Sequence, residues 1–341
     1  TLLVEQSDFG KGTSSRSTKL IHGGVRYFKQ GNISLVLEAL KERGLLYRNA
    51  PHLVRNIAFV VPTYDWWEGT FYGGGLKLYD ALAGKYGFGK SESLSIAETL
   101  ERIPTLESKG LRGGVIYYDG QFDDSRLLIN MVQTAGELGA EIINYMQVIS
   151  LLKNNEMITG ILVEDTEIGK TYEFKAKAVI NATGVFSDSV RMMDDNNVKS
   201  IIAPSRGTHI VLDKSFLPGN NAIMVPHTSD GRVLFAIPWH NRVIVGTTDI
   251  EVDKPTLDPI AQDDEIDYLL LTASKYLVKD PSRSDILSVF AGIRPLIRQE
   301  KDENTASISR EHTVFISRSG LITVAGGKWT TYRKMAEDTI D

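Results

Sequence analysis

The segment Ala325-Gly326-Gly327-Lys328-Trp329-Thr330-Thr331-Tyr332-Arg333-Lys334 follows directly on the apolar run Leu321-Ile322-Thr323-Val324. It reads as a strand that stops at a glycine pair and a helix that begins on two threonines. A helix start leaves backbone N–H groups unpaired and carries partial positive charge, which suits a phosphate or the electron-rich edge of a ring. Lys328 adds a full positive charge at the same turn. Near the other end of the chain stands a second polar turn, Gly12-Thr13-Ser14-Ser15-Arg16-Ser17-Thr18-Lys19, dense in hydroxyl donors. By its own letters it is either a flexible surface loop or a loop lying on a bound cofactor. His22-Gly23-Gly24 and Arg26-Tyr27 come next; the two glycines let backbone approach a flat ring closely, with Arg26 and Tyr27 aimed at a substrate anion. Arg26, Arg294, Arg310 and Lys328 are four cations from three distant parts of the chain, and bidentate arginine is the best anchor for a phosphate. Arg294 sits between Ile293 and Pro295 in an apolar stretch, so its charge needs a partner if buried, and a structural ion pair is the alternative reading. Arg310, in Ser309-Arg310-Glu311, reads equally as an exposed charge.

These residues must be brought together by an α/β chain. Thr1-Leu2-Leu3-Val4-Glu5 reads as a strand, with Glu5 at its carboxyl end. Residues 34–48 carry Leu35, Leu37, Leu40, Leu45 and Leu46 among charged residues, an amphipathic helix stopped near Pro51. Ile57-Ala58-Phe59-Val60-Val61 is a strand, whereas Trp66 to Ser95 is rich in aromatics and glycine and has no clear period. A helix is expected over 125–138 and a strand over 141–145. Strands follow at 148–152, 158–164, 171–174 and 178–181, the last entering Ala182-Thr183-Gly184. Short β runs over 200–249 suggest an antiparallel sheet, residues 264–278 a helix, and residues 289–297 and 313–325 strands. The expected architecture is a Rossmann-like dinucleotide-binding domain with an inserted antiparallel-sheet substrate domain. The first takes residues 1–50, 115–200 and 288–341, and the second takes 51–114 and 201–287.

Composition narrows the chemistry. The 341 residues are enough for about two domains. The net charge of −5 argues against nucleic acid as a partner. There is no cysteine, which removes disulfides, thiolate catalysis and Cys-ligated metals. No apolar run approaches the roughly 18–20 residues of a membrane-spanning helix. A cytoplasmic protein, peripheral to a membrane if it meets one, is the simplest reading.

Six blocks carry a resemblance. Thr13-Ser14-Ser15, three residues, then Lys19-Leu20-Ile21-His22-Gly23-Gly24-Val25-Arg26-Tyr27 resembles the FAD loop of FAD-dependent glycerol-3-phosphate dehydrogenases. Ile180-Asn181-Ala182-Thr183-Gly184 is similar to that family's turn at the dinucleotide. Gly246-Thr247-Thr248-Asp249, Ala291-Gly292-Ile293-Arg294-Pro295-Leu296, Ser309-Arg310-Glu311-His312 and the Lys328 segment are similar to its later blocks, in order. The resemblance implies the glycine-oxidase and D-amino-acid-oxidase group of flavoprotein folds, FAD as cofactor, and oxidation of sn-glycerol 3-phosphate to dihydroxyacetone phosphate by hydride transfer to flavin N5. It implies electrons passed to quinone and peripheral contact at the inner face of the cytoplasmic membrane. Trp66-Trp67-Glu68-Gly69-Thr70-Phe71-Tyr72 reads either as an interfacial patch or as core or lid packing.

Carried onto this chain, the resemblance implies a catalytic role for Arg294 and His209. His209 is the first candidate base, although a histidine flanked by apolar residues also reads as a packed core residue; Arg294 would stabilise a developing alkoxide. Arg26, Tyr27, Arg310, Lys328 and Thr330 would bind substrate. The implied FAD contacts are Glu5, Thr13, Ser14, Ser15, Lys19, Leu20, His22, Gly23, Val148, Ala182, Thr183, Gly184, Gly292, Gly327, Lys328, Trp329 and Thr330. Within that set Glu5 takes a ribose hydroxyl and Val148 meets the adenine through its backbone. The phosphate-cradling glycine-rich turn and the C-terminal helical domain of many members have no counterpart here. A chain that is incomplete, or that binds FAD weakly, is therefore expected. Rival readings are an oxidase using oxygen, an amine oxidase on the same fold, and a truncated protein that binds nucleotide without catalysis.

Overall fold

The computed structural model describes residues 1–24, 32–226, 228, 233–298 and 311–341. In chain order its strands are β1 (Leu2–Val4), β2 (Leu20–Ile21), β3 (Val54–Thr63), β4 (Glu92–Leu94), β5 (Gly113–Phe122), β6 (Glu141–Ile143), β7 (Met146–Asn154), β8 (Met157–Asp165) and β9 (Thr171–Lys175). They continue with β10 (Val179–Asn181), β11 (Ile202–Asp213), β12 (Ala222–Val225), β13 (Leu234–Trp239), β14 (Arg242–Gly246), β15 (Ile250–Glu251), β16 (Ile286–Ile297), β17 (His312–Ile316) and β18 (Leu321–Gly326). The helices are α1 (Ile33–Asn49), α2 (Glu68–Ala83), α3 (Ile96–Arg102), α4 (Asp124–Glu137), α5 (Ser187–Asp194), α6 (Asp263–Ser274) and α7 (Tyr332–Ile340).

The Rossmann-like part is built from parallel pairs. β1 runs beside β6, with Leu2 opposite Glu141, and β10 runs beside β18, with Asn181 opposite Thr323. β17 adds to β18 antiparallel, and β7, β8 and β9 form a separate meander. The second, larger sheet has the order β15-β11-β14-β13-β12-β3-β5-β2, with β16 also on β11 and β4 on β5. All its pairings are antiparallel except β12 with β3. The expected α/β class, with an inserted antiparallel sheet, is therefore the observed one. β2, β5 and β16 belong to this sheet as well, so strands run between the two expected units.

Both faces of the large sheet are covered, which explains why β3 and β5 are buried almost end to end. Val60, Ile210, Leu212 and Val245 pack with Leu269 and Ala273 of α6 on one side. Phe59, Val61 and Tyr117 pack with Leu35, Val36 and Leu40 of α1 and Leu76 and Tyr79 of α2 on the other. Burying a Val, Leu or Phe side chain contributes about 1.5–3 kcal/mol each, so this double layer dominates the stability of the scaffold.

Two local readings are corrected. The stretch without clear period contains the 16-residue helix α2; Gly69, Gly73, Gly74 and Gly75 lower its intrinsic propensity, and packing of Tyr72, Leu76 and Tyr79 restores it. After β18 the chain does not enter an α-helix on its threonines. Trp329–Thr331 form one 3-10 turn, and α7 begins at Tyr332.

Candidate active site

The β11–β16 ladder sets the geometry. Its register places Ser205 opposite Arg294, Gly207 opposite Gly292 and His209 opposite Phe290, while the β11–β14 ladder puts Gly246 on the other side of His209. A cavity of about 180 Å³ opens over this ladder. Five segments distant in sequence line it: the N-terminal loop from Thr13 to His22, Gly207 with His209, Phe235, the stretch from Gly292 to Leu296, and the turn from Gly326 to Thr330. Of the expected residues it gathers Thr13, Leu20, His22, His209, Gly292, Arg294, Gly327, Lys328, Trp329 and Thr330. Arg26, Tyr27 and Arg310 lie outside the described residues.

The N-terminal loop is tied down rather than free. Thr13 Oγ1 donates to Ile293 O at 2.6 Å, and Trp329 Nε1 donates to Ser14 O at 2.8 Å. Arg16 reaches Ala291 O at 3.2 Å and Asp258 at 2.8 Å. Lys19 is engaged in an ion pair. Its ammonium donates to both Asp124 oxygens, at 2.6 and 2.8 Å, and to Ser15 O at 2.6 Å. Ser17 adds bonds from its hydroxyl and its N–H to the same carboxylate. Lys19 therefore locks the loop to the first turn of α4, and Ser15, whose hydroxyl donates to Gly10 O, shapes the loop from within.

Gly23 is glycine for a reason other than approach to a flat ring. A Cβ there would meet Tyr79 Oη at 2.4 Å and Leu40 Cδ2 at 2.5 Å, so its bare face is pressed against α1 and α2. Gly326 and Gly327 hold φ of +77° and +76°, a conformation side chains disfavour, and they turn the chain from β18 toward Lys328.

His209 is buried and stacks on Phe290, with ring centroids 4.6 Å apart and planes 9° from parallel. Its Nε2 lies 2.9 Å from Thr18 Oγ1, and its Nδ1 has no hydrogen-bond partner among the described residues. Burial, with the positive charges of Arg294 and Lys19 beside it, pushes its pKa down to about 3. The ring is neutral at working pH and is a weak base.

Arg294 Nη2 donates to Thr247 Oγ1 at 2.9 Å and Thr248 O at 3.1 Å, with Asp249 at 3.8 Å. Thr248 is itself held, donating from Oγ1 to buried Glu265 at 2.7 Å and accepting from Thr208 N at 2.8 Å. Glu265 also takes Arg206 Nε at 2.8 Å. The guanidinium is thus fixed in direction while it lines the cavity. Thr18, Thr247, Thr248, Phe290 and Arg16 were missed as functional positions. All but Phe290 stood inside recognisable motifs, and only the ladder register reveals Phe290.

The remaining expected cofactor residues lie elsewhere. Glu5 N donates to Ile143 O at 2.9 Å and Met146 N donates to Glu5 O at 2.8 Å, which sets Glu5 at the carboxyl end of β1. Burial raises the pKa of its carboxyl group, opposed by N–H donation from Ser7 and Gln6. Val148 is half-buried in β7 opposite Val163. Ala182, Thr183 and Gly184 follow β10, with Asn181 Oδ1 accepting from Thr183 N and Oγ1 and Gly184 at φ +57°. Positions after parallel strands are where such folds bind dinucleotides.

A parallel-strand core with a second antiparallel sheet, and a cavity rimmed by a hydroxyl loop and a strand-to-turn lysine, define a flavin-dependent oxidoreductase scaffold. A model of the FAD dependent oxidoreductase family matches residues 1–333, and the chain belongs to that family. It is 47% identical over 356 residues to the mitochondrial glycerol-3-phosphate dehydrogenase of Rattus norvegicus, covering 100% of this chain and 49% of that protein. Identity to the Homo sapiens protein of the same name is 46%, with the same coverage. The chain therefore spans about half the length of the curated relatives it matches. Among solved structures, the glycerol-3-phosphate dehydrogenase from Bacillus halodurans complexed with FAD superposes with TM-score 0.80 at 34% identity, covering 100% of this chain and 58% of that one. Glycine oxidase from Geobacillus kaustophilus shares the fold, with TM-score 0.71 at 18% identity, covering 99% of this chain and 85% of that one. The resemblance to FAD-dependent glycerol-3-phosphate dehydrogenases stands, and FAD is the family's cofactor.

Proposed function

We propose that this chain carries the site at which an FAD-dependent enzyme oxidises sn-glycerol 3-phosphate to dihydroxyacetone phosphate. The observation that carries the reading is the meeting of Arg294, Lys328, Thr18 and His209 at one cavity. The donor set fits FAD. The Gly326–Thr330 turn and half-buried Lys328 offer N–H groups and positive charge to the edge of a flavin, and the hydroxyl loop with Trp329 closes beside it. Glu5, Val148 and residues 182–184 are proposed for the ribose, adenine and pyrophosphate side. Bound FAD would accept, at N5, the hydride leaving the alcohol carbon.

The chain's own residues then have separable tasks. Arg294, with its direction fixed by Thr247 and Thr248, would stabilise the alkoxide oxygen while the hydroxyl proton passes to solvent water. His209, neutral and unable to compete for protons near pH 7, orients the hydroxyl of Thr18 rather than driving the step as a strong base. Lys328 and Thr330 hold the substrate phosphate, joined by Arg26, Tyr27 and Arg310. The division into an FAD domain of residues 1–50, 115–200 and 288–341 and a substrate domain of 51–114 and 201–287 is part of the proposal. Electron passage to quinone at a membrane surface is also proposed, supported by exposed Trp66, Trp67 and Phe71 around the start of α2. Among the described residues no helix is long and apolar enough to cross a membrane.

Anaerobic addition of glycerol 3-phosphate to the FAD-loaded protein tests the reading. Bleaching of the flavin absorbance is expected, and an unchanged spectrum overturns it. Peroxide formed in air at the rate of reduction would overturn the quinone assignment in favour of an oxidase.

A further inference from the structure

Two adjacent residues of α1 are buried and oppositely charged, Glu42 at 2% exposure and Arg43 at 1%. A helix that only packed would carry apolar side chains there, because sequestering a charge costs several kcal/mol before pairing offsets it. Each is paired, and each pairing leads to a different wall of the cavity.

Glu42 accepts from Arg333 Nε at 2.9 Å and from Nη2 at 2.7 Å, a two-point bond to the first turn of α7. Arg333 stands two residues beyond the Trp329–Thr331 turn, so this bond fixes the turn that presents Lys328 and Thr330. Arg43 Nη1 donates to Asp119 Oδ1 at 2.6 Å. Asp119 Oδ2 accepts from Tyr79 Oη at 2.9 Å, and Tyr79 Oη in turn accepts from Gly23 N at 2.9 Å. Phe88 covers the guanidinium at 4.3 Å. This second chain ends on the backbone beside His22, which lines the cavity.

We propose that Glu42 and Arg43 are positioning residues that hold the Lys328–Thr330 turn and the His22–Gly23 segment at the spacing FAD requires. The proposal rests on the FAD reading above. α1 is then the common member against which both segments are set, with directional bonds that apolar packing would not provide. Neither residue touches the cavity, and each acts through a partner: Glu42 through Arg333, Arg43 through Asp119 and Tyr79.

The test compares wild type with Glu42→Gln and Tyr79→Phe by FAD affinity and by peptide-level hydrogen exchange. The lost charge or hydroxyl should raise the Kd for FAD about tenfold in each variant. Exchange should quicken over residues 328–333 in Glu42→Gln and over 20–24 in Tyr79→Phe, each leaving the other segment unchanged. Unchanged Kd in both variants, or a uniform rise in exchange over both segments, overturns the proposal. If Glu42→Gln does not fold, Arg333→Lys, which changes a one-third-exposed side chain, should give an intermediate Kd and the same exchange at 328–333. Exchange is read without cofactor or substrate. Failure of glycerol 3-phosphate to bleach the wild-type flavin would therefore sink the proposed reaction and still leave the clamp to be judged.

Discussion

At the residue scale, His209 shows how far burial can move a familiar group. An unfolded histidine titrates near pH 6.5, and this one near 3. The unfolded chain therefore binds a proton over that range that the folded chain refuses. The contribution is fully present above pH 6.5 and is lost as pH falls toward 3, with a slope of up to about 1.4 kcal/mol per pH unit. Urea unfolding of the cofactor-free protein between pH 4 and 7 should show a shallower pH dependence in His209→Gln; identical slopes would contradict the assignment. Arg294→Lys should slow flavin reduction by glycerol 3-phosphate about 10²-fold and leave FAD affinity within about twofold. Anaerobic stopped-flow and a flavin titration separate the two effects, and equal losses in both would place Arg294 in cofactor binding instead. The Arg294 segment was legible because its block could be recognised by letters. The weakness of His209 as a base was not, since it depends on Phe290 and Arg294 arriving from β16 and Lys19 from the N-terminal loop.

At the scale of elements, glycine has two meanings in this chain. Gly74 lies in the middle of α2 with open space where a Cβ would stand, so Gly74→Ala should stabilise by about 0.5–1 kcal/mol. Gly326 has positive φ, and a Cβ there would come within 2.6 Å of Glu311 O; Gly326→Ala should destabilise by about 1–3 kcal/mol and loosen the Lys328 turn. Denaturation midpoints of the two variants should move in opposite directions. The same ambiguity explains what could be read beforehand. α1, α4 and α6 have regular apolar spacing and fall within a residue or two of expectation at most of their ends. α2 was hidden by its glycines, and its helical state comes from partners on β3 and β5. The Arg43–Asp119 pair was equally hidden, because its members are 76 residues apart and each looks like an ordinary surface charge.

At the scale of the molecule, the cavity is a junction of five distant stretches rather than the property of one. A ligand bound there links the N-terminal loop and the Lys328 turn to the β11–β16 ladder. FAD at about 100 times its Kd should therefore add about 2.7 kcal/mol of stability, read as a shift in the urea midpoint. No shift at saturating FAD would mean that the cofactor does not bind the folded chain. The two-unit architecture was legible from strand spacing, but the sharing of β5 and β16 was not, since pairing partners leave no mark on a strand's own letters. The bond from Trp329 Nε1 to Ser14 O also spans 315 residues. At the usual synthesis rate of about 5–20 residues per second, the hydroxyl loop waits roughly 15–60 s for the residue that closes over it. The pocket cannot be completed until the Trp329 turn has left the ribosome, so a nascent chain has a long interval in which the hydroxyl loop is made but has nothing to close against.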